Sequence, residues 1–335
     1  MLDVLVELTK DSDSEVRRLA VLSLGAFKER SAIDAVLKAF SDEALPVRSA
    51  AERAIAAISP GKEVLDGIGG ALLDSPSSRA SAVTALGLLN AVGYSEKITG
   101  ILRSSDGDLA KRCVVALGRL KYGQAWREVA AKAGSEDQVM RLEVAKTLGV
   151  LGVGESFSVL SKLANDGDWD VMKEALLSMG RIGDSAFVPD LLAAAKRVDK
   201  TPCEVRSYAC WGLARTVSSF KPGIGRWLSA LALKKVVPTD AGKDYDADCV
   251  RSSAVLALIE MGKKSKKAKA EAESILKEFG GSEDGFASTY VGVALSDYVR
   301  QIKAYLEGKA DGLEPTPVPT TAPMLTVAPI KKRKK

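Results

Sequence analysis

Histidine is absent from the 335 residues. That removes His-ligated zinc, iron and copper centres, His general bases, and Ser–His or Cys–His nucleophile pairs. Aromatic residues make up only 5% of the chain while alanine is abundant, which favours helices over sheets. No apolar run approaches the ~20 residues of a membrane span. The first residues, MLDVLVELTKDSDSE, hold an acid at position 3 and no apolar stretch of signal-peptide length. The four cysteines, Cys113, Cys203, Cys210 and Cys249, show no CxxC spacing and lie in apolar helical stretches. They read as small buried hydrophobes of a reducing, cytoplasmic compartment rather than as a thiol or metal site. The phosphate-loop, nucleophile-elbow and HExxH signatures are missing as well.

Positive charge is scarce everywhere but at one end. The chain carries 48 Lys and Arg against 43 Asp and Glu, a net +5. The final five residues, Lys331, Lys332, Arg333, Lys334 and Lys335, account for that excess. The body before them is balanced, which argues against a uniformly basic nucleic-acid-binding domain.

What the chain does contain is a period. The pattern V-R-x-x-A-x-x-A-L-G recurs with its last residue at Gly25, Ala56, Gly87, Gly118, Gly149 and Gly180, 31 residues apart each time. Looser copies end at Ala214 and Ile259, after insertions of 3 and 14 residues. Val, Ala and Leu-Gly fall at i, i+4, i+8 and i+9, one stripe of a helix. Small residues recur at its centre, at Ala20, Ala51, Ala82, Cys113, Val144, Ala175, Ala209 and Ala254, where a neighbouring helix is expected to cross closely. A shorter amphipathic stretch precedes each copy, for example LDVLVELTK, AIDAVLKAF, KITGILRSS and SVLSKLAND. The turn between the two often ends in an acid (Asp13, Asp106, Asp137, Asp168) that suits a helix N-terminus. Some thirty residues cannot bury their own apolar stripe, so such helix pairs must stack on their neighbours.

The motif arginine stands at Arg17, Arg48, Arg79, Arg141, Arg206 and Arg251, with Ala110 and Met172 in the other copies. Asp13–Arg17 and Asp137–Arg141 have the i,i+4 spacing of helix ion pairs, so a ladder of such pairs is expected rather than a row of anion sites. The DYDAD loop near 236–249 lacks the glycine and distal glutamate of a calcium loop and reads as a solvated insertion. Residues 263–308 read as a polar terminal helix pair capping the stack, with a lysine cluster at Lys263, Lys264, Lys266, Lys267 and Lys269. At the opposite end Leu2, Val4, Leu5 and Leu8 have no polar cap before them, so that edge is either a partner site or is completed by residues upstream. Residues 309–335 hold five of the twelve prolines and read as a disordered Pro/Thr-rich tether presenting the basic tail.

The repeated D-x-x-V-R-x-x-A-x-x-A-L-G pattern resembles the HEAT-like repeats of the phycobilisome-lyase type over roughly residues 1–262. The resemblance implies an all-α solenoid of about eight helix pairs, followed by the cap and the tail. Iron-binding relatives of that fold use His-Glu pairs, and none can be carried over to a chain without histidine. A non-enzymatic protein-interaction scaffold without cofactor or metal is therefore expected, its partner lying on the second-helix (B-helix) face, the concave one in this architecture. Three and seven residues before each motif end, that face presents Arg18, Arg53, Lys111, Lys146 and Lys173, with Leu177, Trp211 and Leu256 towards the C-terminal end; no position of the stripe is acidic. The expected partner is an acidic protein segment. Two alternatives remain open: nucleic-acid association through the basic tail, and an accessory role resembling that of phycobilin lyase subunits.

Overall fold

The protein is seen here as a computed structural model, which describes residues 1–58, 61–197 and 202–216 together with isolated positions at Ala254, Ala257, Lys266, Ala270 and Ser274. Every regular element among the described residues is helical. The chain forms two compact units, Met1–Val159 and Leu160–Lys335.

In unit one the first helices of the repeats are α1 (Leu2–Leu8), then α3 (Arg30–Lys38), α5 (Lys62–Gly67), α7 (Ser95–Arg103) and α9 (Trp126–Ala131). The second, motif-bearing helices are α2 (Ser14–Leu24), α4 (Leu45–Ile58), α6 (Arg79–Leu88), α8 (Gly107–Arg119) and α10 (Gln138–Leu151). These B helices stack in order, α2 on α4, α4 on α6, α6 on α8 and α8 on α10. The central small residues Ala20, Ala51, Ala82, Cys113 and Val144 are all buried, as the period requires. The tightest crossing lies elsewhere, at the motif glycine. A methyl placed on Gly25 would sit 3.1 Å from the Cα of Ala54, and one on Gly87 would sit 3.0 Å from the Cα of Ala116. Leu-Gly at the motif end is thus a packing signature: backbone meets backbone where one helix crosses the next.

The third repeat departs from the rest. After α5 the chain passes through a π-helical turn, Ile68–Leu72, with non-helical torsions at Gly70. The Tyr94 ring lies directly over Gly69, and its hydroxyl donates to Asp66 Oδ1 at 2.6 Å. Lys97 donates to the Gly69 carbonyl at 2.9 Å. A glycine pair lets the wider turn form, and the next repeat clamps it.

The motif arginines do not form the expected i,i+4 ladder. Arg17 Nη1 donates to the carbonyls of Asp11 and Ser12, Arg48 Nη1 to Asp42 and Glu43, and Arg141 Nη1 to Ser135 and Glu136. Arg79 reaches the Leu73 and Asp74 carbonyls in the same way. In each copy the guanidinium holds the carbonyls five and six residues back, where the first helix ends and the turn begins. Those are the acceptors a helix C-terminus leaves without partners. In the copy with Ala110, Lys132 of the following repeat takes over, donating to the Ser105 carbonyl at 2.6 Å. Arg17 also forms a two-pronged bond to Asp42 of the next repeat, at 2.9 and 3.0 Å. The turn acids Asp13, Asp137 and Asp168 cap their helices through Glu15, Val139, and Asp170 with Val171. Asp106 makes no such cap and pairs with Lys132 instead.

The division between the units falls within α11 (Phe157–Leu163). Unit two continues with α12 (Trp169–Ile182), α13 (Val188–Lys196) and α14 (Cys203–Thr216), with α14 packed on both α12 and α13. Ala175 and Ala209 are buried, and so are Ala254 and Ala257 of the eighth copy. Arg206 donates to the Ala195 carbonyl, so the helix-end clamp survives the looser spacing. The 236–249 loop, the expected cap at 263–308 and the tail at 309–335 lie outside the described residues, apart from the three isolated positions noted above. No helix of the described residues is long and apolar enough to cross a membrane.

Two stability measurements check this account. Gly87→Ala is expected to destabilise by about 1–3 kcal/mol through overpacking, despite alanine's better helix propensity. Gly100→Ala in α7, where a methyl meets nothing within 4 Å, is expected to stabilise by about 0.5–1 kcal/mol. The Asp42 carboxyl supplies a pH test. Burial pushes it upward, but the Arg17 guanidinium, the Ala44 amide and the charges of Arg17 and Arg48 outweigh that and hold it below its ordinary range. A depressed folded-state value means that its contribution is present above the unfolded-state value, near pH 4, and is lost as pH falls through the folded one. Asp42→Asn should therefore melt about 4 °C below the parent at pH 7, with the gap closing towards pH 2–3.

Candidate functional site

The B helices of unit one leave a groove where α6, α8 and α10 run side by side. It encloses a cavity of about 350 Å³ lined by Thr84, Asp108, Lys111, Arg112, Val115 and Arg119, with Val139 and Glu143 contributed by α10. Two of its lining residues, Lys111 and Val115, are the fourth repeat's contribution to the stripe read from the sequence, and Thr84 is from the third.

Arg112 organises the floor. It occupies the position that repeats two and three fill with Ala50 and Ser81, both buried. From there its Nη1 donates to Glu52 Oε1 of α4 at 2.7 Å and to Thr84 Oγ1 of α6 at 2.8 Å. Its Nε donates to Asp108 at 2.8 Å. One side chain thus ties three successive B helices. Burial pushes the Arg112 guanidinium downward, and the bonds and charges of Asp108 and Glu52 more than reverse it. Glu52 is only 7% exposed, so removing Arg112 would strand a carboxylate out of water.

Lys111 reaches the opposite way, to Asp137 at the start of α10, at 3.0 Å. The Lys111 ammonium and the Val139 amide hold the Asp137 carboxyl below its ordinary range. Arg18 pairs with Glu15, one turn away. Arg53 and Lys146 are exposed on α4 and α10, and among the described residues no acid pairs with either or with Arg119. The inner face is therefore less one-signed than the stripe suggested. Glu52, Asp108 and Glu143 lie beside it, one to three positions off the register on which the stripe was read.

In unit two Lys173 pairs with Asp170 at 2.7 Å. Leu177, expected at a half-exposed position, is buried at 3% exposure and offers no contact surface. Trp211 is half-buried because its ring lies on Gly180, where any larger residue would collide with it. Its other face takes the Arg215 guanidinium at 5.2 Å. Packing between α12 and α14 thus accounts for much of the Trp211 surface. Leu256 and the tail residues Lys331, Lys332, Arg333, Lys334 and Lys335 lie outside the described residues. The groove residues that the stripe missed, Arg112 foremost, carried one sequence signal: a long cation at a position that is small in the two preceding repeats.

The chemistry on offer is recognition by charge and shape. Burial pushes the Cys113 thiol up to about 12, so it stays protonated and unreactive at neutral pH. Among the described residues no three His, Cys, Asp or Glu side chains cluster as metal ligands.

The sequence matches the family of HEAT repeats over residues 2–88 and 124–201. No curated protein is matched. Among solved structures the fold is similar to an engineered protein, at 20% identity over 93% of this chain and 89% of that one, with a TM-score of 0.51. It is also similar to importin beta, at 13% identity over 91% of this chain, with a TM-score of 0.61; the match spans 49% of the importin beta chain. The complex of CpcE and CpcF of phycocyanin lyase from Nostoc sp. PCC7120 matches at 17% identity, 79% and 95% coverage and a TM-score of 0.41. The 31-residue period, the stacked pairs of helices and the family match agree: the chain is a HEAT-like repeat protein.

Proposed function

We propose that the protein is a non-enzymatic interaction scaffold whose B-helix groove in unit one binds a protein segment carrying acidic and aliphatic residues. The observation that carries this reading is the groove of α6, α8 and α10. Lys111, Arg112 and Arg119 stand there beside the apolar Val115 and Val139 in a cavity of about 350 Å³. The backbone beneath is rigid, because glycine–alanine contacts and the Arg112 network fix three helices relative to one another. A preorganised floor lowers the ordering cost of binding. The pairing of Lys111 and Arg112 with local acids limits indiscriminate attraction of polyanions. Arg53, Arg119 and Lys146 remain exposed to steer and recognise carboxylates. HEAT repeats serve as protein-interaction scaffolds in general, and the described residues show no reactive constellation that competes with that role.

A displayed peptide library selected on the full chain is expected to enrich sequences with clustered Asp and Glu next to aliphatic side chains. The triple variant Arg53→Glu, Arg119→Glu, Lys146→Glu should bind those peptides about tenfold or more weakly at 100 mM salt. Its melting temperature should stay that of the parent, since none of the three side chains is buried. Peptides that bind this variant and the parent equally would remove the groove from consideration.

A further inference from the structure

The basic end of the chain has no part in the groove, and the first repeat carries a surface that later repeats cover. Met1, Val4, Leu8 and Leu19 are 90, 61, 36 and 51% exposed. One repeat on, their equivalents Ala32, Ala35, Ala39 and Ala50 are at most 8% exposed, because α1 and α2 pack over α3 and α4. Four of the ten exposed large apolar side chains among the described residues therefore lie on this one edge. It is also acidic: residues 1–16 hold Asp3, Glu7, Asp11, Asp13 and Glu15 against the single cation Lys10.

Two such edges facing each other would bring like charges together, which disfavours symmetric pairing. The complement is an apolar segment with cations. Residues 324–335, MLTVAPIKKRKK, have that composition: Met324, Leu325, Val327 and Ile330, then five cations and no acid. The lysine cluster at 263–269, KKSKKAK, has the charge without the large apolar groups. The reach of the tail separates its own copy from a neighbour. The proline-rich stretch 309–323 spans at most about 50 Å fully extended. Five B helices at 8–10 Å spacing, with their own thickness, already occupy about 40–50 Å between this edge and the far side of unit one.

We propose that the outer edge of the first repeat docks residues 324–335 of a second copy of the chain, joining copies head to tail. The apolar groups fill the place that a preceding repeat would occupy, and the cations meet Asp3, Glu7 and Glu15.

Sedimentation of the full chain over about 1–100 μM tests this. Self-association is expected, weakening about tenfold or more between 50 and 500 mM salt because exposed charges are screened. Leu19→Asp and, separately, deletion of 324–335 should each abolish it. Mixing those two variants should restore a one-to-one complex, since one retains the edge and the other the tail. Val4→Asp serves as the edge variant if Leu19→Asp alters the melting curve. A chain that stays monomeric at 100 μM, association that survives either change, or association removed by nuclease treatment would each overturn the proposal; the last would assign the tail to nucleic acid.

Discussion

The close approach of successive B helices is the constraint on which the remaining architecture rests. At Gly25 and Gly87 no room exists for a side chain, because the backbone of Ala54 or Ala116 lies where Cβ would be. Gly118 faces Thr147 instead, whose hydroxyl donates to the Val114 carbonyl across the helix pair. Backbone contact at this depth makes dispersion contacts dense and leaves the helices few ways to slide. The same motif end therefore packs the core and sets how each repeat seats on the next.

A second, polar layer fixes the turns. Arg48, Arg79 and Arg141 each hold the two carbonyls at the end of the preceding helix, and Lys132 serves the turn whose repeat lacks the arginine. Further pairs link neighbouring repeats: Arg17–Asp42, Arg103–Glu128, Lys111–Asp137 and Lys132–Asp106. Their members are 25 or 26 residues apart, so a cation from one repeat meets an acid of a neighbouring one. Most are half-exposed and worth little singly. Arg17–Asp42 is the more enclosed, with side chains 9 and 13% exposed.

Charge on the B-helix face follows from this bookkeeping of partners. The cations that a sequence stripe singles out divide into two groups. Arg18, Lys111 and Lys173 are held by acids of their own or the next helix, while Arg53 and Lys146 stand clear among the described residues. The groove owes its shape to Arg112, which a stripe at fixed register passes over. Recognition through such a surface depends on a few exposed cations over a floor that is already neutralised.

Periodicity made the fold legible. A 31-residue repeat with small residues at fixed places determines helix type, helix pairing and stacking, because each is set by local geometry and by the need to bury an apolar stripe. The burial of Ala20, Ala51, Ala82 and Cys113 could be read from the letters alone. Partner choice could not. Arg17 has Asp13 at ideal helix spacing and turns instead to Asp42 and two carbonyls, since a planar guanidinium satisfies more acceptors there. Leu177 keeps the register of an exposed position yet is buried. Arg112 passes over α6 to reach Glu52 on α4, a contact spanning 60 residues. Such outcomes depend on distances between helices several repeats apart, which a one-dimensional period does not encode and only the stacked structure decides.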